Sequence, residues 1–292
     1  MGNGRTRIWA PVCLHIGAPK CHLSMLEGHI KDAVREKRKT VILGDIINNG
    51  VSAGSKHVGL EFGDSLDPMA QVELAVETLM PLARAGLLKL IVGGNHPLRS
   101  VKACGLHPEK IIAMLLSIAA DGKKPEAVLP SIVQRVQEIS MMGEAARAGG
   151  RQYGHYQSVR EKLLADIRKV APGTEERWAV PFFPGVGQVT IEGVPIAAYH
   201  GKHSKSQANW TSIERVSHGF RVYLTGHNHS LAWQADTEAI RGRFREVDFF
   251  SCGTYQSYEE YAAIAAYRRT PIGSMLIEYN HDKDKVYHEK LD

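Results

Sequence analysis

Cysteine is scarce in this chain. Cys13, Cys21, Cys104 and Cys252 are scattered over 292 residues, with no Cys-x-x-Cys pair among them. That pattern excludes a disulfide scaffold and leads us to expect a reduced, intracellular protein. Long apolar runs are also missing. None reaches the ~18 residues of a membrane span, and the N-terminus has no apolar stretch of the secretory type. Met1-Gly2 with Thr6 matches a minimal myristoylation pattern, but one short enough to be common by chance. The expectation is therefore a cytoplasmic protein with no membrane partner. Internal repeats and low-complexity segments are absent too.

The chain is ordinary in composition, at 43% hydrophobic and 23% charged residues, and long enough to bury a large core. Its net charge of +5 mildly favours a polyanionic partner. From Arg99 to Arg177 there are thirteen Lys and Arg against nine Asp and Glu, so most of the surplus lies in that stretch. It reads either as a solvated helical face or as a basic cap that grips a phosphate-bearing substrate. Fourteen histidines is a high count, and several follow apolar runs. Nothing in the sequence sets an oligomeric state.

Apolar periodicity gives a β-α-β-α-β rhythm at the start. Strands are expected at Ile8–Ile16, Thr40–Gly44 and Leu87–Gly93, and helices at Leu23–Arg38 and Pro68–Ala85. This rhythm predicts a sheet with a parallel portion. Residues 50–66 read as a Gly- and Ser-rich loop. The rhythm then gives way to helical patterns at Pro108–Ala120, Ala127–Ala148 and Tyr156–Val170, a helical insertion over about residues 100–180 within one domain spanning 1–292. Strands return at Gly187–Ile191 and Val194–Tyr199, joined by a Glu192-Gly193 turn. Further strands are expected at Arg221–Leu224, Arg245–Ser251, Ser274–Tyr279 and Lys285–His288. Their close succession suggests a second, mixed or antiparallel sheet packed on the first.

Four of these apolar runs end in Gly or His followed by metal-type side chains: Gly44-Asp45, Gly94-Asn95-His96, His200-Gly201 and Gly226-His227-Asn228-His229. Open α/β sheets place their sites at the carboxyl ends of strands, where four such endings can converge. Asp45, Asn95, His200, His227 and His229 make an oxygen and nitrogen donor set that suits Mn, Fe, Zn, Co or Ni rather than Ca. His227 and His229, two residues apart, either face opposite sides or straddle two neighbouring ions. Two metals about 3.5–4 Å apart are the apparatus of phosphoester hydrolysis. Taken singly, each cluster also has a structural explanation as a turn or a hydrogen-bonded core histidine. The joint order of the four is the stronger signal.

Gly44-Asp45-Ile46-Ile47-Asn48, Gly94-Asn95-His96, His200-Gly201 and Gly226-His227-Asn228-His229 together resemble the signature of the calcineurin-like metallophosphoesterases. That signature runs D-x-H, G-D-x-x-(D/N), G-N-H-(D/E), H-G and G-H-x-H. The likeness covers residues 8 to 279 apart from the helical insertion, and the spacing is most similar to phage and prokaryotic members. The resemblance implies an α/β (α+β) fold, a four-layer αββα sandwich of two mixed sheets flanked by helices. It also implies two divalent transition metal ions, among Mn, Zn, Fe and Ni. Asp45 would bridge both ions. His15 and His229 would bind the first ion, and Asn95, His200 and His227 the second. A metal-bridging hydroxide would attack a phosphoester, with phosphodiesters and nucleic acid favoured as substrates. His96 would protonate the leaving group, and Arg99, which follows the third motif, would touch the phosphate.

Two positions depart from the signature. Cys13-Leu14-His15 stands where Asp-x-His is expected, and no aspartate occurs between Met1 and Lys31. Cys13 is either a thiolate ligand that favours softer ions or a buried strand cysteine beside a weakened first site. Pro97 stands where a carboxylate normally orients the catalytic histidine, so His96 is expected to be less basic and more mobile. The alternative function is a degenerate member that binds metal or nucleic acid without turnover. Lys202, His203 and Lys205 either touch substrate or form a solvated loop, and Cys21 and His22 read as packing residues.

Overall fold

The computed structural model describes residues 4–49, 66–104, 107–122, 165, 179–240, 242–257 and 270–292. The elements run β1 (Arg5–Ala10), α1 (Leu23–Arg35), β2 (Lys39–Ile42), α2 (Pro68–Arg84), β3 (Leu88–Val92), α3 (Leu98–Cys104) and α4 (Pro108–Ala120). Then follow β4 (Phe182–Phe183), β5 (Gly187–Ile191), β6 (Val194–Tyr199), α5 (Ser206–Glu214), β7 (Val222–Thr225), β8 (Leu231–Ile240), β9 (Arg243–Cys252), β10 (Ser274–Asn280) and β11 (Lys285–Leu291).

Two mixed sheets result. The first has the order β11-β10-β1-β2-β3-β4 and the second β5-β6-β7-β9-β8. Strands β1, β2, β3 and β4 are mutually parallel, as are β6, β7 and β9. The ends of β1, β2 and β3 therefore open on one edge of the first sheet, and those of β6 and β7 on one edge of the second.

The two-residue period of a strand sorts the core into layers. Ile8, Ala10, Val41, Leu90 and Val92 of the first sheet pack against Val194, Ile196, Ala198, Val222, Leu224 and Phe250 of the second. The intervening residues Trp9, Ile42 and Ile91 face outward into a cluster with Leu26, Val72, Leu79, Ile112 and Leu116 of α1, α2 and α4. On the far side, Ala197, Tyr223 and Phe249 pack against Trp210 and Ile213 of α5. The result is the expected order of helix, sheet, sheet, helix. Asp67 caps α2 by accepting from the backbone N–H groups of Met69 and Ala70, with Pro68 in the first turn.

Several boundaries differ from the sequence reading. The first strand stops at Ala10 instead of Ile16, because Pro11 follows and Cys13 and His15 take positive φ of 49° and 48°. Cys13 is thus a loop residue, not a strand residue. Helix α1 ends at Arg35 instead of Arg38, where Lys37 turns left-handed. The last two strands belong to the first sheet: β10 pairs antiparallel with β1, and β11 with β10. The sequence reading places no strand at β8, although Trp233, Ala235 and Ala239 alternate with polar residues there, nor at β4, which is only two residues long. The short helices α3 and α5 were also not anticipated. The Glu192-Gly193 turn is found, with positive φ at both residues. Pro108–Ala120 is found as a helix. The expected loop at 50–66 and the helices at Ala127–Ala148 and Tyr156–Val170 lie outside the described residues, apart from residues 66 and 165.

At the opposite end of the second sheet, Arg221 and Asp248 form a buried ion pair, 2% and 4% exposed. Trp233 Nε1 donates to the same carboxylate at 2.7 Å. Arg221→Leu would leave that carboxylate buried and uncompensated, at an expected cost of about 3–5 kcal/mol. The cost is read from the urea midpoint, and Arg221→Leu combined with Asp248→Asn should recover part of it.

Candidate metal centre

The backbone beyond the strand ends sets the site. Five residues with side chains in it have left-handed φ: Cys13 (49°), His15 (48°), Asp45 (50°), His227 (67°) and His229 (55°). This conformation is uncommon for residues with a Cβ and holds only where the surroundings impose it. The loops are stitched together by Cys13 N–H to Gly44 O (3.1 Å), His15 N–H to Asp45 O (3.0 Å) and Gly226 N–H to His200 O (2.9 Å). The loops after β2 and β3 touch: a Cβ on Gly44 would lie 2.6 Å from Gly94 N, and one on Gly94 would collide with the Asp45 carboxylate and backbone nitrogen.

Asp45 lies at the centre, 2% exposed. Its Oδ1 accepts the His96 backbone N–H at 2.9 Å, and its Oδ2 lies 3.1 Å from His200 Nε2. On one side, Asn95 Oδ1 is 2.9 Å from both His200 Nε2 and His227 Nδ1. The His200 Nδ1–H donates to Leu43 O at 2.6 Å, which fixes the ring. On the other side, the His15 ring lies 4.7 Å from that of His96 and 5.8 Å from that of His229. The potential ligand atoms of Cys13, His15 and His229 lie within 4.8 Å of one another, as do those of Cys13, Asp45 and His200, and those of His15, Asp45 and His96. His227 thus lies beside Asn95 and His200, and His229 beside His15.

Burial disfavours charge on most of these groups. It holds His15 well below the usual imidazole range, helped by His96, and lowers His227 and His229 to about 4. Burial pushes Asp45 up, but the neighbouring His200 and His96 outweigh it and hold the carboxyl low, while Asp45 raises His200 against its own burial. The Cys13 thiol is raised by burial and by Asp45. His15, His227 and His229 are therefore neutral donors with lone pairs to offer.

Sequence reasoning assigned no role to Asn48 of the second motif and missed Glu109 and Asn209. Asn48 closes the second motif: its side-chain oxygen lies 3.2 Å from His15 Nδ1, and its carbonyl accepts from His96 Nδ1 at 2.8 Å. Glu109 of α4, 0% exposed, accepts from the backbone N–H of Ile46 and of Gly94, both at 2.8 Å. Burial and Asp45 raise its carboxyl to about 8. Asn209 of α5, also fully buried, accepts from the N–H groups of Lys202 and His203 and donates to His203 O and Gly226 O. A Glu or Asn inside a helical pattern carries no sequence signal of such a role.

Arg99 is half-buried in the first turn of α3, its N–H bonded to His96 O at 3.1 Å. Lys202 and Lys205 are exposed, and His203 is half-buried on the same loop. Cys21 donates to Leu14 O and His22 pairs with Ser257, so both act as packing and linking residues.

No protein-family model and no curated protein sequence matches the chain. Among solved structures, it is similar to one described as a novel archaeal phosphodiesterase, at 11% identity and a TM-score of 0.39, covering 98% of this chain and 99% of that one. A metallophosphoesterase from Sphaerobacter thermophilus matches at 13% identity and TM-score 0.40, covering 98% and 88%. A hypothetical protein from Pyrococcus horikoshii OT3 matches at 11% and 0.40, covering 97% and 87%.

The residues present fit a divalent cation. The buried His15 Nε2 has no hydrogen-bond partner, and around it stand a carboxylate, an amide oxygen, a thiol and neutral imidazoles. Gly94→Ala must displace Asp45, so metal binding is expected to weaken at least about tenfold. Metal content per chain after dialysis checks this, and a folded variant with wild-type content would contradict it.

Proposed function

We propose that this chain is a metal-dependent phosphoesterase of the calcineurin-like type, with Asp45 between two metal positions. The observation that carries the reading is the convergence of His15, Asp45, Asn95, His200, His227 and His229 from five strand ends on one buried point. His15 and His229, with Cys13, are assigned to one ion, and Asn95, His200 and His227 to the other. Bound there, divalent ions would polarise the phosphoryl oxygens and lower the pKa of a water molecule.

The remaining chemistry belongs to the chain. His96 is assigned as the general acid, giving the proton on Nε2 to the leaving alkoxide while Nδ1–H stays bonded to the Asn48 carbonyl. That carbonyl takes over the orienting role of the carboxylate that Pro97 replaces. It restrains the ring without itself supplying a negative charge. Arg99, one helical turn from His96, is assigned to the substrate phosphate as a bidentate donor. A phosphodiester, nucleic acid included, is the favoured substrate class because of the positive surplus between residues 99 and 177, most of which lies outside the described residues. No helix of the described residues is long and apolar enough to cross a membrane.

Cys13 sharpens the choice of metal. Its sulfur lies among the donors of both positions, and burial keeps the thiol protonated until a cation displaces the proton. A thiolate at the first position selects Zn or Fe over Mn. The second reading, a degenerate site without turnover, is favoured by the same residue if the thiol stays protonated and the first position binds weakly. Metal content separates the two, with two ions per chain for a working centre and one or none for a degenerate one.

Hydrolysis of bis-p-nitrophenyl phosphate should require a divalent metal and fall by about 10²–10⁴ in His96→Ala. The same negligible rate in wild type and variant with every metal tried would refute the enzyme reading. Titration with Co²⁺ should also produce a sulfur-to-metal charge-transfer band that Cys13→Ser abolishes, whatever the activity.

A further inference from the structure

The site loops are held by two buried polar side chains whose hydrogen bonds go to loop backbone. Glu109 reaches from α4 between the loops after β2 and β3. One carboxylate oxygen takes the N–H of Ile46, next to Asp45, and the other takes the N–H of Gly94, next to Asn95. Asn209 reaches from α5 between the loops after β6 and β7. Its oxygen takes the N–H groups of Lys202 and His203, just beyond His200, and its amide donates to His203 O and to Gly226 O, next to His227. Each sheet thus has one fully buried side chain from its outer helix layer joining two of its ligand loops.

Both contacts are close-fitted. A Cβ on Gly201 would lie 2.9 Å from Asn209 Cγ, so the His200 loop runs directly over the amide. Gly94, which donates to Glu109, is the residue with no room for a Cβ beside Asp45. Neither side chain is needed to complete a helix or a strand ladder. Their partners are backbone groups of the ligand loops, which a strand ending in a left-handed turn leaves without a ladder partner.

We infer that Glu109 and Asn209 are positioning residues that pre-set the two halves of the metal centre, Glu109 fixing Asp45 and Asn95, and Asn209 fixing His200 and His227. The inference rests on the metal-binding reading above. Glu109 acts on the ligand assigned to both ions, so its loss should weaken both binding equivalents. Asn209 acts on ligands of one ion, so its loss should weaken one equivalent and spare the other. Outer partners of this kind typically change metal affinity by about 10–100-fold.

The test is calorimetric titration of the metal-free full-length chain with Zn²⁺ alone. Glu109→Gln keeps shape but replaces one acceptor by a donor facing an N–H. Asn209→Asp keeps the accepting half and loses both donated bonds. Ser117→Ala serves as a structural control on α4, because Ser117 accepts the Val180 N–H and bonds only backbone away from the site. The expected result is about 10–100-fold weaker binding of both equivalents in Glu109→Gln and of one in Asn209→Asp, with wild-type affinity in Ser117→Ala even where its Tm falls. If Glu109→Gln does not fold, Glu109→Asp, which shortens the reach to one loop, takes its place with the same expectation. Folded variants that bind Zn²⁺ within twofold of wild type, or that lose only Tm as the control does, overturn the inference. A wild-type chain that binds no Zn²⁺ instead overturns the metal-binding reading itself.

Discussion

A carboxylate buried at the meeting of two sheets governs this structure. Removing Asp45 from water is costly unless its oxygens are satisfied. The His96 N–H and the His200 ring do so in part, and the loops that carry them must approach within touching distance. That approach explains Gly44 and Gly94, which leave room for the crossing, and the left-handed turns that swing His15, His227 and His229 inward. Glu109 sits in the same buried shell, so two carboxyls face a set of imidazoles of which three are held neutral. An Asp45 carboxylate held ionised beside three neutral imidazoles has the donor chemistry of a cation site.

Much of this was legible in the sequence because each part left a local mark. Thr40-Val41-Ile42-Leu43 before Gly44-Asp45 reads as a buried strand opening into a loop, and Leu88 to Val92 before Gly93 reads the same way. The sheet sandwich follows from such runs, since alternate residues must each find a separate apolar layer. The rest depended on long-range contacts that leave no periodic trace. Strands β10 and β11 look like any other tail strands, and only packing decides that they extend the first sheet beside β1. Glu109 reads as one charged position in the first turn of an amphipathic helix, yet it is fully buried. Strand β8 is an edge strand whose pairing with β9 is set by long-range contacts.

The two departures from the family signature have different physical consequences. At Pro97 the lost carboxylate is replaced in geometry by the Asn48 carbonyl, which accepts from the same ring nitrogen. The carbonyl carries no negative charge, so what it supplies to His96 is placement. At Cys13 the backbone is tightly fixed: its N–H bonds Gly44 O, and its carbonyl accepts from the Tyr255 N–H and the Thr254 hydroxyl. The sulfur therefore stands among the donors whether or not it ionises. What changes is hardness, from an oxygen that suits many divalent ions to a sulfur that suits few.

The division of donors between the sheets has a consequence for stability. Asp45 and Asn95 come from the first sheet, and His200, His227 and His229 from the second. The two sheets meet mainly through an apolar interface, and among the described residues no named strand of one pairs with a named strand of the other. An ion held by donors from both would join them at their open edge and would bind only where both loops are in place. Ligand that binds only the folded chain adds stability as RT ln(1 + [L]/Kd), about 2.7 kcal/mol at a hundredfold excess over Kd. The strain stored in five left-handed turns and the cost of burying two carboxyls weigh against folding of the metal-free chain. The donors that a cation would engage are thus the ones whose burial it would offset, so site chemistry and sheet packing are linked through Asp45.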